Sequence, residues 1–309
     1  MLFLKDLTNF TPNSAGAVVT IGKFDAIHKG HQKLFSAVES SAVEHSLQSV
    51  VVTFDQHPDA LLNPDRYLLP IIGPNLKREL IAGFGIDVML SFNFDFALAQ
   101  LSAEDFVQVY LKDGLNAKVV FVGEDFRFGH RGTGNLHTLH DLGQQLGFEV
   151  RVIASETLDG EKISTSNVRA ALDAGQVEKV ARMLGRPHTC VGIIEHGLKI
   201  GRSIGFPTAN MARDCEGYLP LDGVYGGWLC VGDKRYPAAH SVGINETFQA
   251  VPRLVESHVL DRDDLDLYDQ VVTLEFTDFI RPSAKFNGVD DLVVAINRDL
   301  SKVRKALHL

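Results

Sequence analysis

The chain has 309 residues, 45% of them hydrophobic and 22% charged, and a formal net charge of −9. That length fits one large domain or two ordinary ones, each able to bury a sizeable core. The acidic surplus excludes a protein that coats nucleic acid through a basic face, but not a nucleotide substrate, which a few local donors can hold. Cys190, Cys215 and Cys230 are odd in number and lack metal-ligand spacing, so neither a disulfide framework nor structural zinc is expected. Asp6 interrupts the apolar run of Leu2, Phe3 and Leu4, and no stretch is long enough to span a bilayer. A cytoplasmic protein with no membrane and no nucleic-acid partner is expected.

The first half alternates two patterns. Residues 17–21 form a short buried run ending at Gly22, and residues 31–44 put Leu34, Phe35, Val38 and Ala42 on one helical face. A strand at 50–54, a helix at 75–84 and a strand at 88–90 follow. Ser102 with Asp105 resembles a capping box opening a helix through Val107 and Leu111. Buried runs at 119–122 and 150–153 enclose another helical stretch, and two short helices near 165–174 and 176–184 lead to Gly185-Arg186-Pro187. Strand–helix alternation of this kind predicts a parallel, doubly wound sheet.

Beyond Pro187 the texture changes. Short runs rich in β-branched and aromatic residues, at 191–194, 224–231, 240–244, 254–260 and 271–276, are punctuated by glycine. They predict an antiparallel barrel. A closing helix carries Leu292, Ile296, Leu300, Val303 and Leu307 on one stripe. The domain boundary is placed near residue 186, giving domains 1–186 and 187–309.

Two segments carry phosphate chemistry. Gly22-Lys23-Phe24-Asp25 ends the first strand and His28-Lys29-Gly30-His31 opens the first helix. Ligands of doubly wound sheets bind at carboxyl ends of strands, where a helix start offers free N–H groups. His28 and His31, three apart, can face one side of the first turn and stabilise charge on an α-phosphate as pyrophosphate leaves. Both could equally be polar helix-end residues. The second segment is Gly205-Phe206-Pro207-Thr208-Ala209-Asn210, preceded by Gly197, Lys199, Gly201 and Arg202. The glycines can let a loop wrap phosphates while Lys199 or Arg202 balances charge. Thr208 and Asn210 offer hard oxygens that suit Mg²⁺.

Three later stretches lie at strand ends or helix starts: 53–58, then 123–129 with Asp125 and Phe128, and 163–169 with Ser164, Thr165 and Arg169. With these, the half up to residue 186 resembles the FMN adenylyltransferase module of bacterial bifunctional riboflavin kinase/FAD synthetases. The elements His-x-Gly-His, Asp-Phe-x-Phe-Gly and Ile-Ser-x-x-x-Val-Arg occur in order. The half from 187 resembles the riboflavin kinase module of the same enzymes. It matches at Gly201-Arg202, at 205–210, at Asp222-Gly223-Val224-Tyr225, at Gly243-Ile244-Asn245 and at Val255-Glu256-Ser257-His258. His-x-Gly-His is shared by a wider nucleotidyltransferase superfamily and gives reaction type, not acceptor.

The resemblance implies an α/β, doubly wound, Rossmann-like nucleotidyltransferase domain joined to a riboflavin kinase type β-barrel with a closing α-helix. It implies that His28 and His31 serve the ATP phosphates, with Gly22, Phe24, Asp25 and Gly30 around them. Asp125 falls where the family places Asn or Asp near the flavin, beside Phe128. Ser164, Thr165 and Arg169 fall where it binds nucleotide phosphates, and Asn245 lies on the flavin side of the kinase. Glu256 is the candidate base for the riboflavin hydroxyl, since phosphoryl transfer needs something to accept its proton. Substrates and products would be riboflavin, FMN, FAD and ATP, with Mg²⁺. A weak homo-oligomer stays open.

The chain departs from the family pattern at Ala26, for a usual Gly, and at Ser164-Thr165-Ser166, for Ser-Ser-Thr. It departs again at Glu246, for a usual Pro, and at Asp269, where Gly often follows Leu-Tyr. A tight turn with positive φ would be crowded by Ala26. The rival readings are a monofunctional riboflavin kinase with a degenerate nucleotide-binding half, and a flavin-binding regulator without turnover.

Overall fold

The structure is a computed structural model that describes residues 1–67, 69–196, 201, 205–243 and 253–309. The chain divides into two compact units, Met1–Leu69 with Pro74–Ser164, and Pro70–Gly73 with Thr165–Leu309.

The first unit runs β1 (Leu2–Leu4), β2 (Ala17–Ile21), α1 (Lys29–His45), β3 (Gln48–Phe54), α2 (Pro58–Leu62), α3 (Pro74–Ala82), β4 (Val88–Phe92) and α4 (Phe96–Gln100). It continues with α5 (Ala103–Phe106), which widens into a π-helical segment, then β5 (Ala117–Gly123), α6 (Leu136–Leu146), β6 (Glu149–Ile153) and a small hairpin, β7 (Thr157–Leu158) with β8 (Glu161–Lys162). Six strands form one sheet in the order β1-β4-β3-β2-β5-β6, all parallel. Helices cover both faces of such a sheet, which is why β2 and β4 are buried along their whole length.

The stripe expected on α1 is the buried one: Leu34, Phe35, Val38 and Ala42. The expected Ser102–Asp105 pair caps α5, with Ser102 Oγ accepting from the Asp105 N–H at 2.9 Å. β3 lies on one side of β2 and β5 on the other, so the strand order reverses between β2 and β5. A crevice therefore opens at their carboxyl ends, where a ligand binds in folds of this kind.

The second unit opens with α7 (Thr165–Asp173) and α8 (Val177–Leu184). Six strands then close into an antiparallel barrel: β9 (His188–Glu195), β10 (Ala209–Met211), β11 (Gly223–Val231), β12 (Lys234–Gly243), β13 (Leu254–Val259) and β14 (Val271–Pro282). Helix α9 (Val289–Ala306) packs Val303 over Gly226 of β11, and its buried Asp299 accepts from Arg281 at 2.8 Å. Alternation turns Tyr225, Leu229, His240, Ser257 and Phe276 inward.

His240 Nε2 lies 3.2 Å from the Glu275 carbonyl, so that nitrogen carries the proton and Nδ1 accepts from Ser257 Oγ at 2.8 Å. His188 likewise donates from Nε2 to the Tyr218 carbonyl at 2.7 Å. Burial pushes both imidazoles down to about 4. On the outside, Arg235 lies 3.9 Å over the Trp228 ring and pairs with Glu275 at 2.7 Å.

Candidate active sites

In the first unit, β2 delivers the chain to Gly22, and a Cβ there would stand 2.7 Å from the Phe24 ring. Phe24 and Ile27 take φ of 47° and 45°, backbone that side-chain-bearing residues rarely adopt. Ala26 is not among the positive-φ residues, so the crowding expected from a methyl group at that turn does not arise. The loop ends at buried His28, the residue before α1, and Gly30 is the second residue of that helix.

The His28 and His31 rings stack at 3.7 Å between centroids, and Phe24 meets His31 edge-on at 5.1 Å. Burial, then the neighbouring His28, then the charge of Lys77 push His31 well below the ordinary imidazole value. Its ring is therefore a neutral N–H donor. Among the described residues, the buried His31 Nδ1 finds no hydrogen-bond partner.

Asp25 is buried in the same loop, and its charge partly offsets the burial that lowers the Lys77 ammonium. Asp125, in the loop after β5, accepts from Lys162 at 2.8 Å. That bond holds its carboxyl below the ordinary value, and His28 adds to the effect. His28, His31, Phe24, Asp25 and Asp125 thus converge at the switch point. Phe128 does not join them. It belongs to the core and stacks on Phe126, the more exposed ring of the two, at 5.4 Å. Ser164 is the last residue of the first unit. Thr165 and Arg169 lie on α7 of the second, with Arg169 4.7 Å over the Tyr218 ring and Tyr218 donating to Asp173 at 2.7 Å.

In the second unit, the Gly201 carbonyl accepts from the Phe206 N–H at 2.8 Å, and a Cβ on Gly201 would clash with the Phe206 oxygen. Gly205 turns the chain at φ 89°. His258 Nδ1 donates to the Pro207 carbonyl at 2.8 Å and fixes the approach to β10. Asn210 on β10 is paired with Glu256 on β13 and with Glu195 on β9. Directly paired residues share a sheet face. Since Val255 and Ser257 point inward, Glu195, Asn210 and Glu256 form a row on the outer face.

Thr208 Oγ1 donates to Glu256 Oε2 at 3.5 Å, a long contact. Burial raises the Glu256 carboxyl above its ordinary value, and the Thr208 hydroxyl partly opposes the rise. A pocket lined by Pro207, Thr208, Ala209, Ser257, Leu267 and Tyr268 opens alongside. Asp269 takes φ 58°, which explains why glycine suits that position and why Asp, one of the residues that tolerates the left-handed region, can replace it. Gly197, Lys199, Arg202, Asn245 and Glu246 lie outside the described residues.

Sequence reasoning passed over Lys77 and Glu195. Glu195 becomes visible only through strand register. Lys77 carries no motif at all and reaches the site through the placement of α3.

A histidine pair at the switch point of a parallel sheet, and a carboxylate beside hydroxyl and amide oxygens on a barrel, define a two-module enzyme of nucleotide chemistry. The family model for FAD synthetase matches residues 10–167, and that for riboflavin kinase matches residues 184–307. The bifunctional riboflavin kinase/FMN adenylyltransferase of Listeria monocytogenes is 34% identical, the match covering 93% of this chain and 91% of that protein. The enzyme of the same description from Pseudomonas fluorescens is also 34% identical, covering 98% and 97%. This chain belongs to the bifunctional riboflavin kinase/FMN adenylyltransferase family.

A crystal structure described as a macrolide-efflux protein from Streptococcus pneumoniae superposes with a TM-score of 0.88 at 31% identity, covering 98% of each chain. Among the described residues here, no helix is long and apolar enough to cross a membrane.

Proposed function

We propose that this chain makes FMN from riboflavin and ATP in its barrel module, and FAD from FMN and a second ATP in its α/β module. The observation that carries the reading is full-length membership of a bifunctional family, with a family model on each half. It favours two activities over the monofunctional kinase reading. The working boundary between modules is kept at residue 186; the FAD synthetase match ends at 167 and the riboflavin kinase match begins at 184.

In the barrel, Glu256 takes the proton from the terminal ribityl hydroxyl. The oxygen attacks the γ-phosphorus and ADP leaves. The carboxyl raised by burial is a stronger base than an exposed glutamate, which favours this role. The donors beside it are all oxygens, the set a hard cation prefers. Thr208 Oγ1 and the Asn210 amide oxygen would hold Mg²⁺, which when bound neutralises phosphate charge. Gly201 and Gly205 would let the backbone approach the phosphates closely.

In the α/β module, an FMN phosphate oxygen attacks the α-phosphorus of ATP, and the bond to pyrophosphate breaks. No proton need be removed from an ionised phosphate, so the chemistry calls for donors rather than a base. His28 and the neutral His31 donate to the phosphate oxygens as charge builds, aided by the helix start at Gly30. Gly22, Phe24 and Asp25 shape the nucleotide side, and Asp125 the flavin side. Ser164, Thr165 and Arg169 bind nucleotide phosphates. The three cysteines are free, which accords with a cytoplasmic setting.

The test is a timed separation of flavins after riboflavin and Mg-ATP are added to the purified chain. FMN should rise first and FAD follow. Accumulation of FMN alone, with added FMN never converted, would leave only the kinase.

A further inference from the structure

Lys77 belongs to none of the phosphate motifs, yet α3 brings its ammonium onto the backbone that leads into the histidine pair. Its Nζ donates to the Lys23 carbonyl at 3.0 Å. Thr53 Oγ1, from the carboxyl end of β3, donates to the same oxygen at 3.2 Å. One carbonyl is thus held from two elements. The residue after it, Phe24, has φ 47° and Ile27 has φ 45°. Such backbone persists only where the surroundings hold it. The Phe24 ring is buried and wedged between His31 at 5.1 Å and Phe35 at 4.8 Å. A shift of the Lys23 peptide therefore moves Phe24, and with it His31.

On the reading of His28 and His31 as adenylyl-transfer residues, we infer that Lys77 is a positioning residue for FAD formation: it clamps the Lys23 carbonyl, holds the strained loop before His28 and keeps a positive charge next to the pair.

Among the described residues, the charged groups acting on His31 are His28, the residue before its helix, and Lys77 from α3. Asp25 from the loop acts on Lys77. Asp125, paired with Lys162, is coupled to His28 from the loop after β5. A cation beside His31 disfavours a second positive charge there, so the ring stays neutral to lower pH. The clamp and the charge make separable predictions.

The experiment follows FMN conversion to FAD by the full chain between about pH 5 and pH 9, for wild type, Lys77→Met, Lys77→Arg and Thr53→Val. Riboflavin phosphorylation and thermal unfolding are measured on the same samples as checks on folding. Lys77→Met should lose about 10–100-fold in kcat for FAD, the scale of a displaced catalytic group, with KM little changed. Its acid limb should move to higher pH, because His31 protonates more readily once the cation is gone. Lys77→Arg should restore the wild-type limb. Thr53→Val should lose rate without moving the limb, because it removes a clamp but no charge.

Wild-type kcat and an unmoved limb in folded Lys77→Met would overturn the inference alone, provided wild type makes FAD. A wild type that never makes FAD overturns the adenylylation reading beneath it. Should Lys77→Met fail to fold, Thr53→Val decides the clamp and Lys77→Arg the charge. Wild-type kcat in the first, or a limb moved upward in the second, counts against it.

Discussion

Glu256 and Thr208 show how burial at one residue changes its basicity. The carboxyl is raised by loss of water and only partly relieved by a 3.5 Å hydroxyl contact, so it titrates above an exposed glutamate. If Glu256 is the base proposed above, phosphorylation needs its ionised form. The rate of FMN formation should therefore fall as pH drops through that raised value, an acid limb that a profile of kcat/KM against pH resolves. Glu256→Gln keeps size and one acceptor but cannot take the proton. It should cost about 10²–10⁴ in kcat while added FMN still becomes FAD. Near wild-type kcat with a raised KM would make Glu256 a flavin-binding residue instead. His28→Ala should do the converse, with FAD formation falling about 10²–10³-fold and FMN formation kept. Equal loss of both products in a folded variant would refute the separation. These residues stood out in the sequence because each sits in a short run whose types the proposed chemistry demands. Phe128 was read by the same logic, yet its ring packs in the core beside Phe126, and a motif does not state which of two aromatic rings faces out.

The elements that sequence did not announce are the short ones. β10 spans three residues inside a run that reads as a loop, and β1 spans three more. Neither is long enough to display a period, and each is a strand because neighbours supply its hydrogen bonds. Longer buried runs and the α1 stripe were legible for the opposite reason. The helices before the barrel carry a consequence of their own. α8 buries Val177, Val180, Met183 and Leu184, and its Glu178 accepts from the Phe279 N–H at 2.9 Å. A fragment of residues 187–309 loses these contacts. It should still phosphorylate riboflavin but melt below a fragment of residues 165–309; equal melting temperatures would show that α7 and α8 add nothing to the barrel. On the other side, Asp299→Ala strips Arg281 of its buried partner and should destabilise the barrel unit by on the order of 1–3 kcal/mol, read from urea unfolding.

Across the whole molecule, fold class followed from the switch between two hydrophobic textures, and the first site from the reversal of strand order between β2 and β5. Two interior histidines lower the barrel unit's tolerance of acid. His188 and His240 are buried neutral, with values near 4 against an ordinary 6.5. The unfolded chain takes up these protons as pH falls below about 6.5, while the folded chain does not until about pH 4. Stability is complete above that window and lost across it, by on the order of 3 kcal/mol for each group. Urea midpoints should decline between pH 6.5 and 4, and His240→Gln, which cannot take up a proton, should flatten part of the decline. An unchanged slope in that variant would remove His240 from the account. The chain's only tryptophan, Trp228, lies on β11 beneath Arg235. Tryptophan emission therefore originates in the barrel unit alone, and the α/β unit contributes none. Melting the barrel frees the indole from its guanidinium and reddens the light, whereas melting the other unit changes only its ellipticity. The molecule carries its own optical label, by which the loss of one catalyst can be watched while the other still stands.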